Sequence, residues 1–375
     1  MKYIFLIAVF NALLFLILLI QKKSRALHDN ILTGWLTYLG FYIGIYTFYS
    51  HELFTGYKLL SVSLISLLLL HAPFLYLYIQ VLVTSRQKLV LSDLLHLIPF
   101  VLFNLYILTA SFFPELSQKL NMEKLKGEFD PPFLFVFFLV LTALSGPVYF
   151  IMTVRLFRKL DIGIFNNYSS SSGFDLQWLR LLVLVFGIVW TVLIIITVIH
   201  HVFLLFSMVF CTDGLFLSLS AFVILIGYFG LKQKVIFSSE DILVPANSTG
   251  PPVKYAGSRL TDSEAKQYAE KLTSYMKTSK PWLNPNLSLS KLASEMGISG
   301  HFLSQVINEK FGMNFFDFIN DYRVEAFKEM SSDPKYSSFS LLGIAFECGF
   351  NSKSAFNRIF KQKTGITPSQ YRKIL

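Results

Sequence analysis

The 375-residue chain is 54% hydrophobic and carries 33 Lys+Arg against 23 Asp+Glu, a net charge of +10. Its two cysteines, Cys211 and Cys348, imply no disulfide framework. There is no C-x-x-C, no H-E-x-x-H and no Gly-rich phosphate loop, so no metal, cofactor or catalytic residue is expected and the chain is not read as an enzyme.

Residue types are spread unevenly. Up to Leu231 the chain holds 14 Lys+Arg and 10 Asp+Glu, and the 144 residues beyond hold 19 and 13. The long Leu/Ile/Val/Phe runs stop at the same point. The pattern predicts an all-α protein with a membrane half followed by a soluble half.

Seven apolar stretches precede that point, near the roughly 20 residues a bilayer core requires. They run about Tyr3–Ile20, Trp35–Phe54, Leu59–Val83, Leu94–Phe113, Phe133–Val154, Leu179–Phe203 and Leu215–Leu231. The first lacks a small-x-small cleavage site and reads as a retained span. Positive residues stay on the cytoplasmic side of a membrane. Lys22, Lys23, Arg25, Arg86, Lys88, Arg155, Arg158 and Lys159 fall in loops one, three and five. Loops two and six offer only Lys58, and the lysines of loop four are offset by acidic residues. The alternation predicts an outside N-terminus and a cytoplasmic C-terminus in a multi-pass protein of the bacterial inner membrane.

No Asp, Glu or Lys falls mid-span, which argues against an ion pump or a retinal-type Schiff base. His71, His96, His200 and His201 remain as intramembrane polar candidates. His71 with Pro73, and Ser145-Gly146-Pro147, read as kinks that either line a cavity or, the favoured reading, pack with an interhelical hydrogen bond. Ser169–Ser172 reads as a surface turn, and the Pro/Gly-rich stretch Ser238–Arg259 as a linker. The domains are therefore placed at 1–235, 236–260 (the linker) and 261–375. Thr261-Asp-Ser-Glu264 has capping-box spacing for a helix that ends before Pro281.

Beyond Pro285 the sequence repeats itself. Leu289, Leu292, Ala293, Met296 and Gly297 recur 52 residues later as Leu341, Ile344, Ala345, Cys348 and Gly349. Cys348 thus reads as a small buried hydrophobe. The inward positions Leu303, Val306 and Ile307 recur 53 residues later as Phe356, Ile359 and Phe360, and Gly312 recurs as Gly365. Helix, Gly-containing turn and second helix make a helix-turn-helix unit, here two of them, about 287–312 and 339–365. Asn314 to about Ser331 fits a long helix joining them. If both recognition helices face one side of a duplex, they should sit about 34 Å apart.

The stretches "LSLSKLASEMGISGHFLSQVINEKFGMNFFDFINDYRVEAFKEM" and "IAFECGFNSKSAFNRIFKQKTGITPSQYRK" resemble the AraC/XylS family of bacterial transcription regulators. Gly349-Phe350, Ser352, Ser354, Phe356, Arg358, Phe360, Lys361, Gly365, Pro368 and Tyr371-Arg372 all fit that family's most specific motif. Family members usually place an effector-binding domain before this module. Here a seven-span membrane domain takes that place, as in membrane-bound members of the Bacteroidetes type. The resemblance implies a sequence-specific regulator that couples a membrane signal to promoter binding.

Outside the core of the second recognition helix stand Lys353, Ser354, Asn357, Arg358 and Lys361. Their counterparts in the first are Gly300, His301, Ser304, Gln305 and Asn308. Gln305 suits a bidentate pair with adenine, and Arg358 suits guanine or a phosphate. Ser340–Leu375 holds six Lys+Arg and one Glu, whereas Pro281–Met330 holds four against six Asp+Glu. The second unit should therefore supply most of the electrostatic grip. The partners implied are double-stranded promoter DNA and membrane lipid. A second copy of the chain, RNA polymerase and an unidentified signal ligand or membrane partner are further candidates. The competing reading is a membrane receptor or transporter whose tail is a protein-interaction module that no longer reads DNA.

Overall fold

A computed structural model describes residues 1–23, 25–48, 58–84, 86–120, 131–170, 176–203, 208–232 and 260–375. The linker expected at 236–260 lies outside these residues apart from Leu260, as do Ser171, Ser172 and the side chains of His200 and His201. Among the described residues the chain is all-α, with one isolated bridge between Tyr168 and Ser288 and no strand. It divides into two compact units, Met1–Phe157 with Leu176–Ser238, and Arg158–Asp175 with Ser239–Leu375.

The first unit is built from α1 (Lys2–Gln21), α2 (Leu27–Phe48), α3 (Lys58–Ser66), α4 (Leu68–Thr84), α5 (Leu91–Leu94), α6 (Ile98–Ser111), α7 (Pro114–Lys119), α8 (Phe133–Asn167), α9 (Gln177–Phe203) and α10 (Met208–Lys232). By length and apolarity seven helical runs could cross a membrane: Lys2–Gln21, Leu27–Phe48, Val62–Thr84, Leu91–Ser111, Phe133–Asn167, Gln177–Ile196 and Thr212–Leu231. The second begins at Leu27, earlier than the expected Trp35. Its polar start is satisfied locally, because Asp29 accepts from the Ala26 N–H at 2.9 Å and from Lys22 Nζ at 2.8 Å. The fifth runs past the expected Val154 to Asn167, and its final turns belong to the second unit.

The outer faces are as apolar as the inner ones. On α1, Ala8, Ala12 and Leu19 are fully buried, while Ile7, Phe10, Leu13 and Ile17 are 55%, 65%, 55% and 54% exposed. A helix apolar all round suits a protein core or lipid, not water. α1 packs against α2 and α10. The α10 contact needs Gly227, where an added Cβ would overlap the Phe15 ring. Such small residues let membrane helices approach closely.

In the second unit, α11 (Asp262–Ser279) opens with the expected capping box: Thr261 accepts from Glu264 N–H, and Glu264 accepts from Thr261 N–H. Then follow α12 (Leu289–Met296), α13 (Gly300–Lys310), α14 (Phe315–Ser332), α15 (Leu341–Glu347), α16 (Lys353–Thr364) and α17 (Pro368–Ile374). Hydroxyl caps start the four short helices of the repeat: Ser288, Ser299, Ser340 and Ser352 each accept an N–H of the first turn. The two turns close identically. Ile298 N–H reaches Ala293 O at 3.0 Å and Gly297 N–H reaches Ser294 O at 3.1 Å. Phe350 N–H reaches Ala345 O at 3.1 Å and Gly349 N–H reaches Phe346 O at 3.0 Å. Both glycines have positive φ, 67° and 84°, as this helix-ending hydrogen-bond pair requires.

One core serves both halves of this unit. Leu303, Val306, Ile307, Phe327, Phe356, Ile359 and Phe360 are buried in it, with Cys348 fully enclosed. α14 touches α13, α15 and α16, which fixes the two turn units to a common rod.

Candidate nucleic-acid interface

α16 separates its faces cleanly. Phe356, Ile359 and Phe360 are buried, and Lys353, Ser354, Asn357, Arg358 and Lys361 are all exposed. These five fall at i, i+1, i+4, i+5 and i+8, one stripe along the helix. Among the described residues none of Lys353, Arg358 and Lys361 enters an ion pair, so three cations face solvent together. Lys363 is different: it lies 2.6 Å from Asp321 and 3.7 Å from Asp317, and it ties α16 to α14.

α13 is less open. His301 is exposed, and Ser304 and Asn308 are half-buried. Asn308 Nδ2 donates back to Ser304 O at 2.7 Å. Gln305 corrects the expectation of an outer position, being only 1% exposed. Its Nε2 donates to Glu309 at 3.2 Å, and its Oε1 is buried without a hydrogen bond. Both α11 and α12 pack on α13, which narrows its exposed face. Residue counting between the copies could not register that cover, because α11 stands outside the repeat.

Arg323 escaped the sequence reading altogether. It is 1% exposed on α14. Nε donates to Trp282 O at 2.8 Å, Nη1 to Ser169 O at 2.8 Å, and Nη2 to Asn284 O at 2.8 Å and Ser169 Oγ at 3.0 Å. Burial pulls the guanidinium down to about 10, which leaves it charged at neutral pH. A sequence signal did exist. Arg323 stands four residues after Ile319 and four before Phe327, in the apolar stripe of the helix, where a cation requires buried acceptors.

The geometry is that of two capped helix pairs on one rod, each offering its second helix. Residues 292–374 match a family model described as a helix-turn-helix domain. The C-terminal unit carries a helix-turn-helix domain. Over 87 residues the chain is 39% identical to an uncharacterized HTH-type transcriptional regulator of Staphylococcus aureus strain COL, a match covering 23% of this chain and 11% of that protein. Regulatory protein PocR of Salmonella typhimurium strain LT2 is 29% identical over 90 residues, 24% of this chain and 29% of its own. The chain thus spans less than a third of the length of these curated relatives. No solved structure matches it. The family model and these regulators match the C-terminal unit alone.

Proposed function

We propose that the chain is a membrane-anchored transcription regulator. Residues 1–235 span the cytoplasmic membrane seven times with the N-terminus outside, 236–260 form a linker, and 261–375 bind promoter DNA in the cytoplasm. A signal received among the spans alters promoter binding. The exposed stripe Lys353, Ser354, Asn357, Arg358 and Lys361 carries this reading, because cations not engaged inside the protein are available to phosphates and base edges. Apolar outer faces on the seven helices, with Lys/Arg concentrated in alternate loops, support the membrane part.

On this reading α16 supplies most of the grip, while His301, Ser304 and Asn308 of α13 read bases through neutral groups. Gln305, buried and bonded to Glu309, makes no base contact on this reading. The test uses the full chain in phosphatidylcholine nanodiscs and selection from fragmented genomic DNA. One recurring sequence should be enriched, and its affinity should fall steeply with salt. Retention of no fragment even at low salt overturns the proposal and favours a protein-binding tail.

A further inference from the structure

The first unit contains an apolar cavity of about 380 Å³ between α9 and α10, with His71 of α4 among its walls. Its volume lies in the range of small-molecule pockets, about 300–1,000 Å³. Phe186, Trp190 and Phe222 surround the imidazole, with ring centroids 5.0, 6.4 and 5.1 Å from it. Leu182, Val185, Leu225 and similar side chains make up most of the remaining wall.

The polar atoms of that wall are accounted for, with one deep exception. Trp190 Nε1 donates to Ala143 O at 3.1 Å, and Ser218 Oγ donates to Gly214 O at 2.9 Å. Trp178 stands in the first turn of α9, stacked on Phe229, where an indole suits a membrane interface. His71 itself is 1% exposed. Its Nδ1 accepts the indole N–H of Trp35 at 3.1 Å. An indole nitrogen only donates, so Nδ1 carries no proton and the neutral ring bears its hydrogen on Nε2. His71 makes no other hydrogen bond among the described residues. A packed kink with an interhelical hydrogen bond accounts for Nδ1 and leaves Nε2 over. An acceptor brought in by a ligand would give that N–H a hydrogen bond.

We propose that this cavity binds an uncharged lipophilic carbonyl compound, an ester or ketone dissolved in the membrane, whose oxygen accepts from His71 Nε2–H. The wall holds no Lys or Arg that could balance a carboxylate or phosphate, so the ligand is neutral. Apart from His71 the lining is apolar or weakly polar, so the body of the ligand is hydrocarbon. Trp35 is a positioning residue that fixes the tautomer. The proposal rests on the membrane reading for the source of the ligand, and it names the class of molecule to which the spans respond.

The experiment places the full chain in vesicles of diether phosphatidylcholine, so that the lipid itself brings no ester carbonyl. The probes are a diazirine-bearing methyl ester of hexadecanoic acid and the matching diazirine alkane. After irradiation, labelled peptides are identified by mass spectrometry. The ester should label α9 and α10 with about tenfold higher apparent affinity than the alkane, the worth of one neutral hydrogen bond. His71→Leu should bring the ester down to the level of the alkane, whereas His71→Gln, which keeps an N–H donor, should retain part of the preference. Ala221→Trp, which fills the cavity, should abolish labelling by both. Equal labelling by the two probes in the native chain, or undiminished ester labelling in His71→Leu, overturns the ligand proposal. Flotation of the vesicles keeps this apart from the membrane reading. A chain that does not float overturns both proposals, and a chain that floats without ester preference overturns the ligand proposal alone.

Discussion

Arg323 and Ser169 stand 154 residues apart in sequence and are joined by two hydrogen bonds, Nη1 to the Ser169 carbonyl at 2.8 Å and Nη2 to its hydroxyl at 3.0 Å. Ser169 follows the end of α8, and its N–H donates to Leu287 O at 3.1 Å. Asn320, one turn before Arg323 on α14, donates to the same Ser169 carbonyl at 3.2 Å. The segment after α8 is therefore part of the second unit's buried polar network, with Arg323 as its hub.

Replacing that hub should be costly. Arg323→Lys keeps the charge but presents three donors on one atom where five were spread over a planar fork. The carbonyls of Trp282, Asn284 and Ser169 cannot all be reached from one ammonium. A loss of about 3 kcal/mol is expected, in the range for breaking a buried charge network. Ser169→Ala removes the hydroxyl alone and should cost about 1 kcal/mol. Denaturant unfolding of the full chain in micelles, followed through hydrogen exchange of α14, measures both. An unchanged midpoint in Arg323→Lys would contradict the network.

Gly297 and Gly349 hold equivalent places in the repeat, yet their surroundings differ. At Gly297 an added Cβ meets nothing within 4 Å, so Gly297→Ala should cost only the left-handed backbone, about 1–2 kcal/mol. At Gly349 the same atom would overlap Trp282 O and lie 3.0 Å from Leu283 O. Those are backbone atoms, and Trp282 O already accepts from Arg323. Gly349→Ala should therefore unfold the unit at clearly lower denaturant than Gly297→Ala. Equal midpoints for the two variants would refute the close approach.

These contrasts show what was legible in the sequence. The turn glycines, serine caps and inward residues of both copies recur at fixed spacing, because local hydrogen bonding and helical period dictate them. The seven apolar runs are legible because sustained apolarity over a span's length is also local in sequence. Contacts across long separations leave no such period. The burial of Gln305, the approach of Trp282 to Gly349, and Ser169 beneath Arg323 all depend on which segments meet in three dimensions. The charged start of α2 was hidden because Asp29 is neutralised by Lys22, a partner seven residues away.

Cys348 offers a titration test. It is fully buried, and burial, with Glu347 and Glu329 nearby, raises its thiol from 9.0 to about 12. The folded state thus holds the proton over the window in which the unfolded thiol releases it. Stability from this group is present below pH 9 and falls as pH rises toward 12, by at most about 1.4 kcal/mol per pH unit. Cys348 of the native protein, followed on its own peptide, should resist iodoacetamide at about pH 8 and react once the protein is unfolded. The difference in stability between the native chain and Cys348→Ala should shrink across that window; a constant difference would show that the thiol titrates normally.

The DNA-binding proposal makes its sharpest claim in the contrast between grip and reading. Lys353, Arg358 and Lys361 are exposed on α16, so each phosphate that is no longer neutralised should reduce the slope of log affinity against log salt by about 0.9. Lys361→Ala should therefore weaken binding to all duplexes alike and flatten the slope by about one. Arg358→Ala should do the same if the guanidinium meets phosphate, and should instead relax one base position, by about 1–3 kcal/mol, if it meets guanine. Asn357→Ala removes a neutral polar group and should alter base preference with little change in slope, and His301→Ala should alter base preference as well. Gln305→Ala, at a buried position, should leave base preference unaltered. Binding to a panel of single-base variants of the selected site, at three salt concentrations, separates these outcomes. Salt slopes that no substitution on α16 changes would mean that this stripe does not meet the phosphate backbone.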